Sequence, residues 1–146
     1  MGRHHVSVSA NIAAPIEVVW ALLADHCGYS RWAVMSSSSL ERVGSPDPDG
    51  VGAIRVLGTG SVRSREEILE FDPPHHLAYT LLSGLPVSNY RSDVTLIDQP
   101  GSRTLLTWAS SYDAVVGAGW PMKIFLHVVL SDFARRLSRA ALRSAR

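Results

Sequence analysis

Apolar and polar residues alternate along most of the chain between residues 40 and 115, then change to a three-and-four rhythm at its end. In that last stretch Leu126, Val129, Leu130, Phe133, Leu137 and Ala141 fall on one face of an α-helix. Pro121 suits the first turn of this helix, where its missing N–H costs nothing. Ile124, Phe125 and Val128 widen the apolar face of the first half almost to the full circumference, which predicts that this half is largely covered. Arg135, Arg136, Arg139 and Arg143 lie off the stripe and suit the negative end of the helix dipole. A helix with so wide an apolar face needs a large concave partner. The strand-like alternation before it predicts a curved antiparallel sheet with one face packed and one wet.

The preceding elements follow in order. Val6, Val8 and, after a shift, Ile12 mark a first strand, and Pro15 with Glu17 opens a helix that carries Val18, Val19, Leu22 and Leu23 inward with Trp20 beside them. Gly28 is expected as its left-handed cap, and residues 29–35 form a second short helix with Trp32. Ser36 to Ser39 lead into Leu40, and residues 45–50, Ser-Pro-Asp-Pro-Asp-Gly, form an exposed loop that should tolerate change. Strands are predicted over 51–57, 61–71, 76–82, 89–97 and 102–112, with Gly58-Thr59-Gly60, Asp72-Pro73-Pro74 and Asp98-Gln99-Pro100-Gly101 as breaks. Leu77, Tyr79 and Leu81 share a face; so do Tyr90, Val94 and Leu96, and Leu106, Trp108 and Tyr112. Residues 114–119 link the last strand to the long helix, and Trp108 and Tyr90 project to the side the helix covers. The fold class is α+β: about seven antiparallel strands wrapped around a long C-terminal helix, with two short helices after strand 1.

Length and composition add boundaries. The 146 residues are read as one domain with a sizeable core, 46% apolar and 18% charged. A formal charge of +1 gives no general attraction to nucleic acid, and the C-terminal arginines read as a solvated helix face. Cys27 is the single cysteine, which excludes an intrachain disulfide and a cysteine-rich metal site. No apolar run is long enough to span a bilayer, and residues 1–5 lack a secretory signal's apolar segment. These features predict a cytoplasmic protein, monomer or homodimer.

Residues 13–25, Ala-Ala-Pro-Ile-Glu-Val-Val-Trp-Ala-Leu-Leu-Ala-Asp, followed by Tyr29 and Trp32, resemble the opening of the SRPBCC or START-like helix-grip superfamily, and within it the polyketide cyclase/dehydrase and lipid-transport-like proteins. Residues 52–55, the run from Arg65-Glu66 to Tyr79, and Thr104-Leu105-Leu106-Thr107-Trp108 extend the resemblance over nearly the whole chain. The resemblance implies a seven-stranded sheet curled around the C-terminal helix with a cavity between them. It is specific for fold and weak for activity, because members bind or transform very different apolar molecules.

Candidate chemistry is sparse. His4-His5 and His75-His76 lack the helical i, i+4 spacing of a zinc motif, so no metal is expected. His26 can satisfy a helix carbonyl, and Cys27 reads as a small hydrophobe near a helix end. No serine stands in a nucleophile elbow, and the Gly58 turn opens no helix, so it is not a phosphate loop. His127, among Phe125, Leu126, Val128 and Val129, is either a surface histidine or a polar group facing the interior. Trp32, Tyr79, Tyr90, Trp108, Tyr112 and Trp120 fit either core filling or cavity lining. Arg55 and Glu66 fit exposed strand positions; turned inward, they must pair or meet a polar ligand. The candidate ligand-contacting set is therefore Trp32, Arg55, Glu66, Tyr79, Tyr90, Trp108, Tyr112, Trp120 and His127, with no cofactor.

The leading functional expectation is a binding module for a small hydrophobic or aromatic ligand such as a lipid, polyketide or isoprenoid. The resemblance adds a polyketide aromatase/cyclase or dehydratase, in which Arg55, Tyr79, Tyr90 or His127 would move protons. A macromolecular partner is a third class, supported here only by the basic stripe from Arg135 to Arg146.

Overall fold

A computed structural model describes residues 2–114 and 117–145. Part of the expected link over 114–119, and Arg146 of the basic stripe, lie outside the described residues. Strand β1 (Gly2–Ile12) is followed by α1 (Ile16–Ala24), a 3-10 turn (His26–Gly28) and α2 (Tyr29–Trp32). Six strands follow: β2 (Ser37–Arg42), β3 (Ile54–Thr59), β4 (Val62–Asp72), β5 (His76–Ser83), β6 (Ser88–Gln99) and β7 (Arg103–Ala114). Helix α3 (Gly119–Ser144) is the last element. The seven strands form one antiparallel sheet in the order β1-β7-β6-β5-β4-β3-β2. The meander from β2 to β7 ends beside the first strand, which pairs along its length with β7, so β1 and β2 stand at the two ends of the strand order.

Period-two burial runs almost unbroken through β7, where Thr104, Leu106, Trp108, Ser110, Tyr112 and Ala114 all turn inward. Helix α3 lies against β1, β7 and α1 and stands away from the middle strands. Its buried stripe is Leu126, Leu130, Ala134, Leu137 and Ala141, the i, i+3, i+4 set expected of a helix seated on a sheet. Asp132 pairs with Arg135 and Arg136 on the polar side.

Several expectations are corrected. The first half of α3 is not covered: Trp120 is 68% exposed, and Ile124, Phe125 and Val128 also face outward. The reason is geometric, since β1 and β7 take one stripe of the helix and nothing among the described residues closes the face of Trp120, Ile124 and Val128. Gly28 is not left-handed; its φ of −78° and ψ of −14° continue the 3-10 turn, and Asp25 closes α1. The serine run enters β2, β3 begins at Ile54, and Gly58 and Thr59 belong to that strand. The 45–50 loop is exposed at its tip but anchored at its end, where Gly50 is buried and Asp49 bonds His26.

Candidate ligand-binding cavity

Because α3 leans toward β1 and β7, a gap of about 330 Å³ remains between its Phe125–Phe133 face and strands β3 to β6. Leu57, Tyr79, Tyr90, Leu126 and Leu130 are buried at its floor, whereas Val34, Val62 and Phe125 are exposed at its mouth. Met35, after α2, closes one side. Glu66 is the only charged residue in the lining, among the described residues.

Glu66 is placed by its strand register. It sits directly opposite Arg55 across β3 and β4, and opposite Leu81 across β4 and β5. Two residues along β5 from Leu81, Tyr79 falls on the same face, within cross-strand reach. Arg55 Nη2 donates to Glu66 Oε1 at 2.7 Å, and Nη1 donates to the Tyr29 hydroxyl at 3.1 Å. The Tyr29 hydroxyl in turn donates to the Leu23 carbonyl at 2.6 Å, tying the pair to the end of α1. The guanidinium lies between the rings of Tyr29 and Tyr79, 4.9 and 5.5 Å from their centroids. Its Nε is buried without a hydrogen-bond partner among the described residues.

A second polar group lies beside the first. The Tyr90 hydroxyl shares hydrogen bonds with Ser92 Oγ at 3.2 Å and Ser110 Oγ at 2.9 Å, and the two serines bond each other. Trp108 Nε1 donates to the Tyr79 hydroxyl at 3.3 Å. Burial pushes the Tyr79 phenol well above its ordinary pKa, reinforced by Tyr90 and Glu66 and opposed by hydrogen bonding to Ser92 and Trp108. Burial likewise raises Tyr90, against the hydrogen bonds of Ser110 and Ser92. Both phenols therefore stay protonated. Burial works against the Arg55 charge, but Tyr29 and Glu66 more than offset it and hold its pKa above the ordinary value.

A family model described as polyketide cyclase/dehydrase and lipid transport matches residues 3–145. The chain belongs to that family. A START superfamily protein from Mycobacterium smegmatis superposes with a TM-score of 0.82 at 15% identity, over 96% of this chain and 98% of its own. A Thermobifida fusca protein does so at 0.74 and 25% identity, over 93% and 94%. The Zhui aromatase/cyclase of a Streptomyces species also reaches 0.74, at 19% identity over 99% and 94%. The fold is thus the START-like helix grip. No curated protein matches the chain in sequence.

Within this family fold the candidate residues separate. Glu66, Tyr79 and Tyr90 line the cavity. Arg55 and Trp108 lie behind that lining: Arg55 is 1% exposed, and Trp108, 2% exposed, packs at 5.5 Å in a tilted pair with Phe133 of α3. Tyr112 is sealed in the core, donating to the Gly119 carbonyl at 3.0 Å and stacking on His4. Trp32 faces a different recess of about 250 Å³ between α2 and the end of α3, with Arg31 and Arg143. Trp120 and His127 are corrections. Trp120 is exposed, and His127 lies on a surface groove with His5 and Lys123, where every lining residue but Val6 is open to solvent.

Sequence reasoning placed Phe125, Val129 and Phe133 on the apolar side of α3 without separating the cavity side from the sheet side. It missed Ser92 and Ser110, whose signal was inward parity with Val94 and with Trp108. Cys27 is also corrected: it is exposed, with Sγ 3.1 Å from His26 Nε2, while His26 Nδ1 meets Asp49 at 2.5 Å. No helix among the described residues is long and apolar enough to cross a membrane. Glu70, His76 and Asp93 converge closely enough to offer metal ligands, but the Arg91 guanidinium already bonds both carboxylates.

Proposed function

We propose that this protein binds a small apolar or aromatic ligand, of lipid, polyketide or isoprenoid type, in the space between α3 and strands β3 to β6. The observation that carries this reading is a cavity with an apolar wall and mouth and a few buried polar groups gathered at its floor. Its volume of about 330 Å³ falls within the range of small-molecule sites. Burial of apolar surface drives such binding, at roughly 25 cal/mol per Å², while the floor fixes orientation. Family membership supports the reading, since lipid transport is part of the family's description. Titration with Nile red, a neutral solvatochromic dye, tests it: one saturable site with micromolar Kd, displaced by an apolar competitor, is expected. A linear, non-saturating response would contradict it.

A second reading, a polyketide aromatase/cyclase or dehydratase, has its own observation: Glu66 and Tyr79 lie together on the floor. A carboxylate that accepts an α proton and a phenol that gives one to the carbonyl oxygen supply the two halves of enolisation. The fold shared with the Zhui aromatase/cyclase is compatible with this use. Cyclisation of a poly-β-keto substrate that is abolished by Tyr79→Phe without loss of dye binding would favour it; no turnover by the wild type would remove it.

A further inference from the structure

Three consecutive residues after α1 bring three different metal-binding groups together. One ligand atom each from Asp25, His26 and Cys27 lie within 4.8 Å of one another. Cys27 Sγ stands 3.1 Å from His26 Nε2, and the thiol side is open to solvent. The 3-10 turn holds the set in place, because Asp25 Oδ1 accepts the Cys27 N–H at 3.0 Å. His26 Nδ1 meets Asp49 Oδ1 at 2.5 Å. A carboxylate can only accept, so the ring proton sits on Nδ1 and the Nε2 lone pair is turned to the thiol. The Arg31 guanidinium comes no nearer to Asp25 Oδ2 than 3.8 Å and makes no hydrogen bond to it. That separates this set from Glu70, His76 and Asp93, whose two carboxylates Arg91 already holds.

We propose that Asp25, His26 and Cys27 form a zinc site, with Asp49 as the positioning residue behind His26. Zinc takes sulfur, nitrogen and oxygen donors in tetrahedral sites, and three protein groups leave its fourth position to water. Magnesium and calcium prefer an all-oxygen shell and gain nothing from a thiol and an imidazole. On binding, the thiol proton passes to solvent and the thiolate becomes the ligand, while Nε2 offers the lone pair it already carries. A ligating histidine that gives its other ring N–H to a carboxylate is held in the right tautomer and orientation. Asp49 supplies that carboxylate from a loop 23 residues further along the chain. Histidine spacing gives no sign of such a site, since the set has one histidine and the outer carboxylate arrives only through the fold. The site lies apart from the cavity under α3, and none of its four residues lines that cavity.

The test titrates the reduced wild-type protein with cobalt(II), a spectroscopic stand-in for zinc, near neutral pH. Cys27 is the only cysteine in the chain, so a thiolate-to-cobalt charge-transfer band reports this site and no other. The band should grow to saturation at one cobalt per chain, with visible bands of tetrahedral intensity, and zinc should abolish both. Cys27→Ser, at an exposed position, should lose the charge-transfer band and keep its thermal transition. Asp49→Asn should keep the band but move its half-saturation to cobalt concentrations about 10–100-fold higher. Absence of the band in the wild type at excess cobalt would overturn the proposal. So would saturation at half a cobalt per chain, which would place the ion between two molecules, or a band undiminished in His26→Asn. An Asp49→Asn curve that overlays the wild type would overturn the part assigned to Asp49. The wild-type titration decides whether the site exists even if a variant does not fold.

Discussion

Arg55 and Glu66, eleven residues apart, face each other across neighbouring strands and close a buried ion pair at 2.7 Å, with one member inside the wall of the cavity and the other behind it. Such a pair contributes little against a well-packed apolar replacement, but breaking it strands a charge in the interior. Glu66→Ala should therefore cost about 3–5 kcal/mol, and Arg55→Met with Glu66→Leu should recover most of that loss. Urea unfolding of the single and double variants measures both; additive losses would show that the pair is not coupled.

Trp108 is core rather than lining. It is buried, packed against Phe133 and bonded to Tyr79. Trp108→Ala should cost about 3–5 kcal/mol, seen as a lower urea midpoint at unchanged slope. A loss below about 1 kcal/mol would mean that the ring borders empty space.

The four tyrosines are Tyr29, Tyr79, Tyr90 and Tyr112. Each has its pKa raised, with burial the largest cause. An unfolded phenol ionises near pH 10, at about its ordinary value. Since the native state holds its phenol protons more tightly, stability is full below that value and falls as pH rises toward the native pKa values. In absorbance at about 295 nm, phenolate should appear in one steep step that coincides with loss of near-ultraviolet dichroism. Smooth ionisation near pH 10 in a protein that keeps its dichroism, by contrast, is the result that burial of these rings forbids.

The outer face of α3 gives an opposite expectation. Ile124 and Val128 are more than half exposed, so Ile124→Ser and Val128→Ser should each change stability by no more than about 0.5 kcal/mol. Thermal melts of the two variants check this, and a drop of several degrees would place that face in contact with something in the folded protein.

Period and parity carried the fold. Alternation in β4 to β7 and the stripe from Leu126 to Ala141 were enough to expect a sheet around a helix, and the resemblance of residues 13–25 agreed. Parity also put Tyr79, Tyr90 and Trp108 on the inner faces. It could not tell lining from core, because an inward Trp108 and an inward Tyr79 read alike until the lean of α3 decides which of them meets open space. Arg55 and Glu66 misled for a related reason: charge argues for water, and only the register that sets them opposite one another makes burial affordable. Trp120 and His127 failed because a helix stripe read alone does not say how much of its circumference the sheet can reach. Gly28 failed because a glycine at a helix end fits a 3-10 continuation as well as a left-handed cap.

The central claim is that the space between α3 and the middle strands holds a ligand, and filling it is the most direct test. Val129, half-buried in the lining from α3, has room before it for a larger side chain. Nile red should bind the wild type at a single site with micromolar Kd, about −8 kcal/mol. Val129→Trp should keep a cooperative thermal transition and lose that site. Identical isotherms for the two folded proteins would contradict the account.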